Sequence, residues 1–188
     1  MAQHKKTASE ACNIGETSRL SVAVGASRHG KSTLCVTPIA AGETVFRITG
    51  RPVARQDRHT VQIGADQHLA PEGEPWAFVN HGCEPNCVVV FETAVAGSAR
   101  MVARRPIAPG EEITFNYLTT EWDMASPFDC RCGAAVCAGT IRGFRHLERP
   151  AREALRPWLA PFLAERIDSE AVEASFERPS EMRAKRGR

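Results

Sequence analysis

Along residues 18–124, hydrophobic and polar positions alternate in short runs that Gly- and Pro-containing segments separate. Such alternation is typical of half-buried β-strands joined by turns. The predicted strands are Arg19–Val24, Thr33–Val36, Thr44–Ile48, His59–Gly64, Val88–Phe91, Arg100–Ala103 and Ile113–Tyr117. We expect a turn at Ala41-Gly42 and a hairpin loop around Ala96-Gly97-Ser98. Many short strands with such turns predict a mostly β fold.

The pattern changes after Gly143, where apolar residues recur at helical spacing. They are Leu147, Ala151, Ala154, Leu155, Trp158, Leu159 and Phe162. Pro157 and Pro161 interrupt the repeat, so we expect broken helical pieces. A second helix is predicted over Asp168–Phe176, with Asp168 or Ser169 as its N-cap.

The two ends of the chain differ from its middle. Residues 1–17 are polar and aperiodic, which predicts a flexible N-terminal arm. Residues 178–188 carry five basic side chains against one acidic side chain, which predicts a disordered basic tail. Between them we place a β domain at 18–124, a cysteine-containing segment at 125–146 and C-terminal helices at 147–177.

The composition describes an ordinary globular domain, with 188 residues, 43% hydrophobic content and 24% charge. A net charge of +2 is too small to predict a nucleic-acid or membrane-surface partner. No apolar run approaches the roughly 20 residues of a spanning helix. The basic residues at the N-terminus precede no apolar stretch, so we expect no secretory signal and a cytoplasmic protein.

The chain has seven cysteines, and an odd number disfavours a complete disulfide framework. Cys130, Cys132 and Cys137 fall within eight residues, and clustered thiols in a reducing compartment often bind metal. A closed structural zinc site needs four ligands, so a fourth would come from elsewhere in the chain. The alternatives are three free thiols, or one disulfide and a remaining thiol.

Three motifs follow one another in order. They are Asn80-His-Gly-Cys-Glu-Pro-Asn86, Gly110-Glu-Glu-Ile-Thr-Phe-Asn-Tyr117 and Cys130-Arg-Cys-Gly-Ala-Ala-Val-Cys137. In this order and at these separations they resemble the SET-domain protein lysine methyltransferases with a zinc-binding post-SET segment. The resemblance covers about residues 18–146, and the short insert between Arg51 and Glu74 looks like that of small bacterial-type members.

The resemblance implies a β-clip architecture of small sheets, completed by a post-SET zinc loop and C-terminal helices. It implies methylation of a lysine side chain in a protein or peptide substrate, with S-adenosylmethionine as cofactor. The implied zinc ligands are Cys83, Cys130, Cys132 and Cys137. The implied cofactor-binding residues are Gly30, Lys31, Ser32, Asn80, His81 and Tyr117.

By the same resemblance, Tyr117 is the catalytic residue, because its hydroxyl would lie where the substrate amine meets the methyl donor. Phe78 and Phe115 would line the substrate channel, and Phe115 would leave room for more than one methyl group. The chain departs from the family pattern in having Ala77 in place of an arginine and Gly82 in place of a serine. Ser32 likewise stands where the family has a glycine. These three departures leave two alternatives to an active methyltransferase, namely an enzyme with impaired cofactor binding and a protein-binding module without catalytic activity.

One motif points to a different chemistry. Gly25-Ala-Ser-Arg-His-Gly-Lys-Ser32 matches the phosphate-binding loop of nucleotide enzymes, in which Lys31 would contact the terminal phosphates. That loop requires a helix directly after Ser32. The β-branched residues and Pro38 that follow favour a strand instead. The nucleotide-binding enzyme is therefore the less favoured alternative.

Overall fold

The computed structural model describes residues 21–27, 30–92 and 98–176, with only the backbone described for 170–176. The predicted arm at 1–17, the basic tail at 178–188 and the loop tip at Ala96-Gly97 lie outside these residues. Within the described ranges, no helix is both long and apolar enough to cross a membrane.

Short strands make up most of the described chain. They are β1 (Val22–Ser27), β2 (Gly30–Cys35), β3 (Thr44–Ile48), β4 (Arg51–Val53), β5 (Val61–Gly64), β6 (Gln67–Ala70), β7 (Asn80–His81), β8 (Cys87–Phe91), β9 (Ala99–Ala103), β10 (Thr114–Phe115), β11 (Phe128–Asp129) and β12 (Thr140–Ile141). The α-helices are α1 (Arg149–Leu155) and α2 (Pro161–Phe176). Single 3-10 turns lie at Pro75–Phe78, Tyr117–Thr119, Phe144–His146 and Arg156–Trp158. The predicted mostly β fold is confirmed.

The strands form several small sheets instead of one large one. Two antiparallel three-stranded sheets have the orders β3-β9-β8 and β4-β6-β5. β1 pairs antiparallel with β2, β11 pairs antiparallel with β12, and β7 pairs parallel with β10. The predicted hairpin is formed by β8 and β9, with Cys87 opposite Ala103 and Phe91 opposite Ala99.

Two predicted strands are shorter than expected, and in each case a polar side chain ends the extended backbone. Asp57 accepts the backbone N–H of His59 at 3.1 Å and turns the chain, so β5 begins only at Val61. The side chain of Asn116 accepts the N–H of Leu118 at 3.0 Å and starts a 3-10 turn, so β10 ends at Phe115.

The helical pieces are broken as predicted, but the second boundary is wrong. Pro157 lies in the 3-10 turn after α1. Pro161 is the first residue of α2 instead of an interruption, because proline lacks only an N–H that a first helical turn leaves unpaired. Asp168 and Ser169 therefore lie inside α2 and are not its caps.

The hypothesis of a phosphate-binding loop is wrong. Gly30, Lys31 and Ser32 open β2, where they pair with Ser27, Ala26 and Gly25 of β1. No helix follows Ser32, so the backbone N–H groups needed to hold phosphates are used in a strand ladder.

Two hydrophobic clusters hold the fold together. The larger one joins the sheets and includes Met101, Ile107 and Ile113, each at most 1% exposed. The smaller one joins α2 to the 3-10 turn at Phe144–His146 and centres on Phe144 and Leu163. Phe91 packs against both clusters, so the C-terminal helices rest directly on the β core.

Candidate active site

Two distant segments meet at the short parallel pair β7–β10. Asn80 lies opposite Thr114, and His81 lies opposite Phe115. The Asn86 side chain fastens them, because its amide donates to the Glu112 carbonyl at 2.8 Å and its oxygen accepts the Thr114 N–H at 2.9 Å. The segments that contain Asn80 and Tyr117 therefore lie side by side.

Tyr117 begins the 3-10 turn after β10, and its hydroxyl donates a hydrogen bond to the Val79 carbonyl at 2.7 Å. The ring packs against Phe115, His81 and Phe128, with centroid separations of 4.8, 5.3 and 6.1 Å. The side chain is half-buried, and burial raises the pKa of its phenol, with the Glu121 carboxyl acting in the same direction. The hydroxyl therefore stays protonated at neutral pH.

The His81 imidazole lies between the Tyr117 backbone and the cysteine segment. Its Nδ1 is 3.1 Å from the Tyr117 N–H, which donates to it. Its Nε2 is 3.3 Å from the Cys83 sulfur. Burial lowers the pKa of His81 to about 4, so the ring is neutral near pH 7.

Asn80 is held from two sides. Its side-chain amide donates to Glu112 Oε1 at 2.7 Å and to the Lys31 carbonyl at 3.3 Å. Neighbouring Glu111 pairs with Arg105 at 2.7 Å instead, so the two adjacent carboxylates have separate structural partners.

A cavity of about 680 Å³ opens beside Tyr117, within the range of ligand sites. Its lining includes Gly30, Lys31, Ala77, Phe78, Asn80, His81, Phe115, Tyr117, Phe128, Cys130 and Cys132. The Lys31 ammonium lies 5.3 Å from the centre of the Phe78 ring. Ser32 differs from the other predicted cofactor-binding residues, because its side chain is fully buried and its hydroxyl has no partner within the described part of the chain.

Glu121 also lines this cavity, and the sequence pattern did not single it out. The residue is 5% exposed. Its carboxyl accepts the Gln62 N–H at 2.9 Å, the Thr120 hydroxyl at 3.2 Å and the Gln56 amide at 3.2 Å. Burial nevertheless raises the pKa of Glu121 to about 7. The only local signal was one acidic residue in the run Leu118-Thr-Thr-Glu-Trp122.

Cys83, Cys130, Cys132 and Cys137 converge, with all four sulfurs within 4.8 Å of one another. Cys83 and Cys130 are 3.9 Å apart. Tetrahedral zinc with bonds of about 2.3 Å would separate its sulfur ligands by about 3.8 Å. The donor set and its spacing therefore fit a closed zinc site.

The thiols of the cluster differ in how readily they ionise, and burial raises the pKa of Cys83 well above its usual range. Burial raises the pKa of Cys130 to about 11. Burial acts in the same direction on Cys132, but the Ala134 N–H and the neighbouring thiols lower its pKa to about 6. Cys87 does not belong to this cluster and is buried in the core, where burial raises its pKa to about 12.

A larger cavity of about 1000 Å³ lies between β8, β9 and α1. Its walls include Val88, Val102, Leu155 and Trp158. Cys83 and Glu84 also line it, whereas His81 and Tyr117 are among the described residues that line the smaller cavity.

Comparison with known proteins agrees with this geometry. Residues 30–118 match the family model described as the SET domain. The chain contains a SET domain. The match begins at β2 and ends just after Tyr117, so it includes both strands of the β7–β10 pair. The post-SET segment and the likeness to small bacterial members stay predictions.

Relatives of this SET-domain chain include the methyltransferase flvH of Aspergillus flavus, 29% identical over 88% of this chain and 90% of that protein. The histone-lysine N-methyltransferase ash1 of Drosophila melanogaster is 30% identical over 76% of this chain and 7% of its own length. Human histone-lysine N-methyltransferase 2B is 31% identical over 66% of this chain and 5% of its own length. The chain thus spans most of flvH but under a tenth of the other two.

Solved structures show the same fold. Arabidopsis thaliana SUVH6, in complex with SAM, superposes with a TM-score of 0.54 at 17% identity, over 65% of this chain and 33% of that chain. KRYPTONITE, in complex with mCHG DNA and SAH, also gives a TM-score of 0.54, at 24% identity over 65% of this chain and 29% of that chain.

Proposed function

We propose that this protein transfers a methyl group from S-adenosylmethionine to the side-chain amine of a lysine in a protein. The observation that carries the proposal is the Tyr117 hydroxyl, which borders the cavity and donates its proton to the Val79 carbonyl. Support also comes from the relatives named as methyltransferases, two of them histone-lysine methyltransferases. The related structures solved with SAM and SAH support the choice of cofactor.

The cofactor would be held by residues that line one part of the cavity, namely Gly30, Lys31, Asn80 and His81. S-adenosylmethionine supplies a sulfonium-bound methyl group, which a neutral lysine amine takes up as the N–C bond forms and the C–S bond breaks. Asn80 is already oriented by Glu112, so binding would require little reorganisation of this side chain. Among the described residues, no atom lies within 4 Å of where a Cβ at Gly30 would be.

Tyr117 would position the substrate amine. Because its proton is committed to Val79, the oxygen lone pairs are free to accept a hydrogen bond from the amine. The raised pKa keeps the phenol neutral, so Tyr117 orients the nucleophile and does not act as the base. The lysine must enter uncharged, and its ordinary pKa is about 10.4. The rings of Phe78, Phe115 and Phe128 line the cavity and would pack along the methylene chain of the lysine.

We further propose that Cys83, Cys130, Cys132 and Cys137 hold one structural zinc ion. β11 runs directly into Cys130 and carries Phe128, whose ring contacts His81 and Tyr117. The metal would therefore fix the aromatic wall of the cavity, since this segment has few buried apolar residues of its own.

The proposal predicts that Tyr117→Phe abolishes methyl transfer while the fold persists. Labelled methyl transfer from S-adenosylmethionine to lysine is measured in a protein mixture, and we expect a loss of about a hundredfold or more. Trp158→Phe is the matched control, because this exposed aromatic residue lies outside the cavity beside Tyr117.

Label at the wild-type rate in folded Tyr117→Phe would refute the role of the hydroxyl. Wild-type protein that binds S-adenosylmethionine but labels no lysine in any mixture would instead support a binding module.

A further inference from the structure

The His81 side chain connects the two parts of the site. On one side Nδ1 receives the Tyr117 backbone N–H at 3.1 Å. On the other side Nε2 lies 3.3 Å from the Cys83 sulfur. The residue is 9% exposed, so water does not readily replace either partner.

The tautomer of His81 follows from these contacts. A backbone N–H can only donate, so Nδ1 must accept and the ring proton must lie on Nε2. That proton then points to Cys83, whose sulfur also receives the Ala138 N–H at 3.4 Å. Cys83 thus has two N–H donors directed at its sulfur, an arrangement suited to a thiolate that binds a metal.

We propose that His81 is a positioning residue that couples metal occupancy of the cysteine cluster to the backbone of Tyr117. The proposal rests on the zinc site proposed above. A metal-bound thiolate accepts the Nε2 proton more strongly than a neutral thiol does, because the acceptor carries negative charge. Zinc binding to the cluster therefore restricts the orientation of the His81 imidazole. With the ring held in this orientation, Nδ1 stays in place to accept the Tyr117 N–H.

A purely spatial role is the competing explanation. The His81 ring also packs edge-on against Tyr117 at 5.3 Å and Phe128 at 5.8 Å, so it could act only as a spacer. Two substitutions separate the possibilities. In His81→Asn the amide oxygen takes the place of Nδ1, and nothing reaches Cys83. In His81→Gln the amide nitrogen takes the place of Nε2, and Tyr117 loses its acceptor.

The experiment uses the fact that the chain has a single tyrosine. Incorporation of ¹⁵N-tyrosine gives one amide resonance, which reports the Tyr117 N–H alone. The resonance is recorded for zinc-loaded and chelator-treated full-length protein. Zinc release to an excess of chelator is followed separately, so neither readout depends on methyl transfer.

We expect zinc removal to shift the Tyr117 resonance of the wild type but not that of His81→Asn. His81→Asn should release zinc about ten- to a hundredfold faster than wild type. His81→Gln should keep slow release and show a displaced Tyr117 resonance. His59→Asn is the control, because this exposed histidine lines the same cavity and its Nδ1 donates to the Ala77 carbonyl, so the substitution should change neither readout.

Equal zinc-release rates in wild type and His81→Asn would overturn the proposal. The proposal would also be overturned if the Tyr117 amide resonance of the wild type did not shift on zinc removal, or if the wild-type protein bound no zinc. If His81→Asn fails to fold, the wild-type shift and His81→Gln decide the matter. Loss of methyl transfer with these results intact would count against the proposed function and not against the coupling.

Discussion

At the scale of single residues, burial changes the chemistry of Tyr117 and Glu121. Both line the cavity, and the pKa of each is raised because the surroundings disfavour charge. Tyr117 was recognisable from the motif that it ends. Glu121 was not, because its partner Gln62 lies 59 residues away along the chain and no local pattern links them.

Glu121 predicts a pH dependence of stability. Its ordinary pKa is 4.5, and the folded value is about 7. Between these values the folded state keeps a proton that the unfolded chain has lost, so the free energy of unfolding falls as the pH rises from about 4.5 to about 7 and then levels. The group's contribution is on the order of 3 kcal/mol.

Glu121→Gln removes this titration. The free energies of unfolding of wild type and Glu121→Gln are measured by denaturant titration across that pH range, and the advantage of wild type should shrink toward neutral pH. The other carboxyl groups contribute equally to the pH dependence of both proteins, so their contributions cancel when the two free energies of unfolding are subtracted. Two parallel curves would show that the carboxyl does not titrate as its burial requires.

At the scale of elements, Gly143 decides how the C-terminal part joins the β core. Its φ is +114°, and a Cβ there would lie 2.5 Å from the Asp123 Cα and 2.7 Å from the Trp122 oxygen. Just beyond it, the Phe144 N–H donates to the Glu121 carbonyl at 2.8 Å, and the Phe144 side chain is fully buried. The change of pattern after Gly143 was visible in the sequence, but this close approach of two backbones was not.

We therefore predict that Gly143→Ala lowers the free energy of unfolding by about 3 kcal/mol or more. The loss would come from backbone strain at positive φ together with steric overlap of the added Cβ. Gly110→Ala is the matched control, because Gly110 has φ +83° and a Cβ there would meet no atom of the described residues within 4 Å. It should cost only about 1 kcal/mol. Both are compared by the free energy of unfolding, and equal costs would mean that the backbone at Gly143 moves aside.

At the scale of the whole molecule, the cysteine cluster joins parts of the chain that the hydrophobic clusters do not hold. Cys83 meets Cys130 across 47 residues, so a metal there closes a long loop. Phe91 links the two hydrophobic clusters, but the segment that carries Phe128 and Cys130 has little buried surface.

Zinc removal should accordingly lower the thermal midpoint by about 10 °C or more, equivalent to about 3 kcal/mol or more. Cys137→Ser should lose zinc at chelator concentrations that leave wild type loaded. Cys35→Ser is the control, because this buried cysteine donates to the Thr37 carbonyl and lies outside the cluster. Zinc content and thermal midpoint are measured together. A cluster variant that keeps both wild-type values would exclude a structural metal.

The features that could be predicted from the sequence are those that depend on neighbouring residues. Alternation marked the strands Thr44–Ile48 and Arg100–Ala103, and three ordered motifs indicated the SET domain and the cysteine cluster. The parallel pairing of β7 with β10, the tautomer of His81 and the burial of Glu121 became visible only in the folded chain. These depend on contacts between residues far apart in the chain. A periodic pattern records which face of an element is buried, but not which distant group it meets there.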